Sequence, residues 1–93
     1  MNRDDWETQF FGTLLALLGG DMTVTAAGMV FGPWLVRIMP PKRGEEQRIN
    51  ILAIEANTTT QGASAIGGTP FAAALDDDPQ TVGEDVASWL RSR

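Results

Sequence analysis

Two stretches of this chain, Trp34 to Met39 and Gln47 to Ala56, alternate like β-strands yet have no polar face. In the first, Trp34, Val36 and Ile38 share one parity and Leu35, Arg37 and Met39 the other. In the second, Ile49, Ile51 and Ala53 oppose Asn50, Leu52 and Ile54. Side chains alternate across a sheet with a period of two, so a sheet containing these strands presents apolar surface on both sides. One layer of helix covers one side only. What covers the other is the question this sequence poses.

The two ends of the chain read as helices. Trp6, Phe10, Leu14, Leu17 and Leu18 recur at helical spacing, with Phe11 and Leu15 widening the stripe, and predict a helix from about Asp5 to Leu18. Asp4 is the expected N-cap, with Glu7 three residues on, and Gly19-Gly20 is the expected stop. At the other end Pro79 follows Asp78, and Val82, Val86, Trp89 and Leu90 form a second stripe that ends near Arg91.

Between the helices, Met22 to Phe31 is rich in β-branched and small residues and predicts a first strand. Its apolar parity changes partway, which places a bulge or tight turn at Ala27-Gly28. Gly32-Pro33 reverses the chain into Trp34–Met39, and the stretch from Pro40 to Glu46 connects it to Gln47–Ala56. Asn57 to Thr69 lacks apolar periodicity and reads as a long loop. Thr69-Pro70 opens a short helical turn through Leu75, halted by Asp76-Asp77-Asp78 at its negative end. The expected fold is α+β: a three-stranded antiparallel sheet flanked by N- and C-terminal helices, in the order α-β-β-β-α. At 93 residues the chain has material for one core and one domain, residues 1–93.

Residue types absent from the chain exclude much chemistry. With no cysteine, histidine or tyrosine there are no disulfides, no thiolate or imidazole metal sites, and no customary general base. Ser64 and Ser88 lack a G-x-S-x-G frame, and the glycine pairs at 19–20 and 67–68 lack a phosphate-loop pattern and a nearby lysine. Asp76, Asp77, Asp78, Glu84 and Asp85 do not follow calcium-loop spacing; a capped, solvated helix start explains them. No residue is assigned a catalytic, cofactor or metal role, and the chain is expected not to be an enzyme.

A formal net charge of −5 repels phosphate backbones and anionic lipid. The α-β-β-β-α order is shared with double-stranded RNA-binding domains, but those place lysines where this chain has Asp76, Asp77 and Asp78. The apolar run Phe10–Leu18 is too short for a membrane span and follows Asp4, Asp5 and Glu7 rather than basic residues. A cytoplasmic protein that contacts neither nucleic acid nor membrane is expected.

Three candidates cover the second sheet face, and they are not exclusive: the segment Asn57–Leu75 folded over it, a second copy, or a partner protein; a homodimer is expected, because two-fold pairing is the commonest way a small protein buries such a patch. The leading expectation is an interaction module of adaptor, chaperone or inhibitor type, with Trp34, Leu35, Arg37 and Met39 at the contact surface. The alternative is an acidic decoy of phage or mobile-element type. It would offer Asp76, Asp77, Asp78, Glu84 and Asp85 in place of phosphates to a nucleic-acid enzyme.

Overall fold

The computed structural model describes residues 2–25, 28–55 and 68–92. Helix α1 spans Arg3–Leu18, followed by a 3₁₀ turn at Gly19–Asp21. Five strands succeed one another: β1 (Met22–Thr25), β2 (Gly28–Phe31), β3 (Trp34–Ile38), β4 (Arg48–Glu55) and β5 (Gly68–Ala74). Helix α2, Pro79–Arg91, closes the fold. Every strand pairs antiparallel with its neighbour in sequence, giving the meander order β1-β2-β3-β4-β5.

The α+β class with flanking helices is as the sequence implies, but the sheet has five strands rather than three. The expected first strand is a hairpin, β1 paired with β2 through Met22↔Phe31 and Val24↔Met29. The parity change in this segment marks the reversal of the chain, and Ala26-Ala27 lie outside the described residues.

The expected helical turn at 69–75 is strand β5, in register with β4 through Ile51↔Phe71 and Ile49↔Ala73. Alanines favour a helix locally, but Phe71 and Ala73 on one parity pack against the core from the sheet edge. Pro70 is compatible with this because an edge strand tolerates a residue that cannot donate to a ladder. Of the segment expected to fold over the sheet, residues 68–74 therefore extend its edge; of the loop expected from Asn57 to Thr69, residues 68 and 69 are the start of this strand and residues 57–67 lie outside the described residues.

Both helices cover one face of the sheet. Trp6, Phe10, Leu14 and Leu18 from α1 and Val86, Ala87 and Leu90 from α2 are buried with Met22, Met29, Val36, Ile49, Ile51 and Ala53. The helices run in the same direction: the Trp6 indole N–H donates to the Asp77 carbonyl at 2.9 Å near their N-terminal ends. At the other end the Arg91 guanidinium donates to the Leu17 carbonyl. Parallel neighbours stack like dipole ends together, and Arg91 supplies positive charge where the carbonyl ends meet.

Caps fix where the helices begin and end. Asn2, not Asp4, caps α1: its side-chain oxygen accepts from the Asp5 N–H at 2.8 Å, which starts the helix earlier than the acidic pair implies. Gly19, at φ +65°, ends it. Asp78 caps α2, with Pro79 in the first turn as the sequence implies.

Mid-way along the pair, Gly83 lets the helices approach. A Cβ there would lie 2.9 Å from Thr13 Cβ and Cγ2 and 3.3 Å from the Phe10 carbonyl oxygen. Thr13 is held in place by donating its hydroxyl proton to the Gln9 carbonyl at 2.9 Å. Gly83→Val is therefore expected to destabilise the fold by about 1–3 kcal/mol through forced separation. Gly83→Ala should cost less, because alanine gains about 1 kcal/mol of helix propensity. Urea unfolding of the two variants checks this, and a Gly83→Val protein as stable as its parent would refute the close contact.

Candidate functional site

The sheet face away from the helices is built by alternation. Register places Thr23, Val30, Leu35 and Ile54 in one row across the sheet, and Arg37, Leu52 and Pro70 in the next. Asn50 pairs with Ala72 and Arg48 with Ala74 on the same side. Met39 continues the parity of Leu35 and Arg37, its N–H donating to the Asn50 carbonyl at 2.8 Å. Val30, Leu35, Leu52, Ile54 and Met39 are half-buried, and none belongs to the core cluster beneath the helices.

Charge is distributed unevenly over this face. Its strand positions carry two arginines, Arg37 and Arg48, and no carboxylate, in a chain of net charge −5. Towards the β3–β4 connection a shallow groove of about 560 Å³ runs over Met39, Asn50, Leu52, Pro70 and Ala72, with Lys42, Arg48 and Glu45 around it. The acidic residues lie mostly elsewhere, on the helices and in the turns joining the elements. The face can therefore bury apolar groups while offering guanidinium donors, a combination typical of protein contact surfaces.

The expected contact residues divide between the two faces. Leu35, Arg37 and Met39 lie on the outer face. Trp34 lies on the helix face, its ring edge-on to Trp89 at a centroid distance of 4.9 Å, and Trp89 in turn meets Phe71 edge-on at 5.5 Å. It is part of the packing under α2 and does not share a surface with Leu35. Arg48, Leu52 and Ile54 are the outer-face residues that the sequence did not single out. Their signal was the parity of β4, since Ile49, Ile51 and Ala53 take the buried side.

The acidic stretch before α2 is partly occupied with local structure. The Asp77 carboxylate accepts from the Ala74 N–H at 2.9 Å. Asp78 accepts from the Gln80 N–H at 3.3 Å and the Thr81 hydroxyl at 3.0 Å. Glu84 accepts from the Gln80 amide at 3.4 Å, while Asp76 and Asp85 are exposed. Among the described residues no cluster of acidic side chains forms a metal cage, and no helix is long and apolar enough to cross a membrane.

Set against known proteins, the chain matches no family model, no curated protein and no solved structure.

Proposed function

We propose that this protein is a non-enzymatic interaction module that holds an acidic, apolar segment of a partner protein on the outer face of its sheet. The observation that carries the reading is the composition of that face: Val30, Leu35, Leu52 and Ile54 beside Arg37 and Arg48, with no strand carboxylate. An apolar partner surface would bury the aliphatic rows, and its carboxylates would meet the two guanidiniums. Two-fold pairing of this face with a second copy is less favourable. Each arginine would then be desolvated against a surface that also lacks strand carboxylates. The exposed acidic residues Asp76, Glu84 and Asp85 would keep the opposite side of the domain from competing for the same partner.

Light scattering and affinity capture from source cells test the reading together. The expected result is a monomer at low and high salt that recovers an acidic partner. Leu35→Glu and Arg37→Glu should each weaken that complex at least about tenfold, as loss of a contact hot spot does. Melting of the Leu35→Glu protein should change little, because the side chain is outside the core cluster. A salt-resistant dimer that dissociates on Leu35→Glu would instead assign the face to a second copy.

A further inference from the structure

A sheet that does not close on itself has two edges, and an open edge is a template for another strand. The two edges here are unequal. β1 has four residues, and its first N–H, that of Met22, already donates to the Gly19 carbonyl. β5 has seven residues, Gly68–Ala74, and carries no charge. Phe71 and Ala73 are half-buried on its helix side, and Pro70, Ala72 and Ala74 take the other parity. Length, apolar character and lack of charge make β5 the edge at which strand addition is expected.

Its outward main chain is nevertheless closed. The Leu75 N–H donates to the Gln47 carbonyl at 2.9 Å, so alternation along the strand turns the main-chain groups of Ala74, Ala72 and Pro70 away from β4. Pro70 has no N–H to offer. At Ala74 both groups are taken by one residue: its N–H donates to the Asp77 carboxylate at 2.9 Å, and its carbonyl accepts from the Asp77 N–H at 2.9 Å. Asp77 is fixed from the core in turn, since its own carbonyl accepts the Trp6 indole N–H at 2.9 Å. Of these three outward residues, Ala72 alone keeps an N–H for another strand.

Two copies of β5 paired antiparallel about Ala72 would set Pro70 opposite the second copy's Ala74, a register that is its own complement under a two-fold axis. Pro70 cannot donate there and Ala74 is already engaged, so only the bonds at Ala72 survive. We infer that Asp77 and Pro70 form an autoinhibitory contact that closes the edge of β5, and that without it β5 pairs with β5 of a second copy. The groups involved lie in the plane of the sheet and not on its outer face, so the contact is separate from the proposed partner surface.

Light scattering over a range of concentrations and amide hydrogen exchange test this, on chains that all carry Leu35→Glu so that the outer face does not contribute. Pro70→Val combined with Asp77→Ala restores outward donors at 70, 72 and 74. This double variant should form dimers at concentrations where the Leu35→Glu protein is a monomer. In Asp77→Ala alone the Ala74 amide should exchange at least about tenfold faster, as loss of a hydrogen bond to a charged acceptor implies. Asp77→Asn keeps an acceptor oxygen and should retain both the slow exchange and the monomer. Adding Ala72→Pro to the double variant should return it to a monomer, whereas aggregation from a weakened fold would grow worse. A double variant that stays monomeric throughout, association that Ala72→Pro leaves in place, or an Ala74 amide unaffected by Asp77→Ala would each overturn the inference.

Discussion

Trp6→Ala is expected to be among the most damaging single changes, lowering stability by about 3–5 kcal/mol. The indole is fully buried, stacks on Phe10 at a centroid distance of 5.5 Å, and donates its N–H to the Asp77 carbonyl across the junction of α1 and α2. Truncation removes the ring, leaves a cavity that the surrounding side chains only partly fill, and strands the carbonyl. A domain of this length is held together by roughly 5–14 kcal/mol in total. The melting temperature should therefore fall by something on the order of 20 °C. Trp6→Phe separates the two contributions, since it keeps most of the apolar contact and loses only the hydrogen bond, at about 1–2 kcal/mol. Thermal and urea unfolding of both variants checks this. An alanine variant melting within a few degrees of the parent would mean that the ring does not organise the core.

The second large effect is expected at Gly28. Its φ of +147° is accessible in practice to glycine alone, and a Cβ there would sit 2.4 Å from the Val36 carbonyl oxygen and 3.1 Å from Arg37 Cβ. Strain and overlap together predict a loss of about 2–5 kcal/mol for Gly28→Val. The β1–β2 hairpin would separate from β3. Gly32 provides the comparison. It also has positive φ, +57°, as the first residue of the Gly32-Pro33 turn joining β2 to β3, but a Cβ there meets nothing within 4 Å. Gly32→Ala should cost only about 1–2 kcal/mol of backbone strain. Equal losses at the two positions in urea unfolding would refute the close strand approach at Gly28.

Helix positions and strand faces were legible because each rests on a local period. The stripe Trp6, Phe10, Leu14, Leu18 is buried as its spacing implies, and the parities of β3 and β4 assign Val36, Ile49, Ile51 and Ala53 to the core. The two missed strands depend on pairing rather than on period. β1 and β2 are four residues each, too short for alternation to establish itself, so their hairpin reads as one interrupted strand. In β5 the alanines and Pro70 point to a helix, and only the ladder with β4 overrides them.

The same division holds for the sites. Leu35, Arg37 and Met39 could be placed together by parity, and Trp34 separated from them. The meeting of Leu15 with Val24 around one cavity could not be read, because they belong to different elements and come together only where the hairpin lies beside α1. The nearest sequence signal was the width of the α1 stripe, in which Leu15 is left exposed while Phe11 packs against the core.

The meander also bears on how the chain reaches this state. Each ladder joins consecutive strands, whereas the ties that hold the helices together span 71 and 74 positions, from Trp6 to Asp77 and from Leu17 to Arg91. Bringing distant segments together costs more loop entropy than closing neighbouring ones, so the strands are expected to assemble before the helices dock on them. Contacts made late act on escape from the native state rather than on arrival. The Gly83→Val change should therefore appear almost entirely in the unfolding limb of a chevron. The contact between the helices then acts as a kinetic latch, setting how long each molecule stays folded more than how quickly it folds.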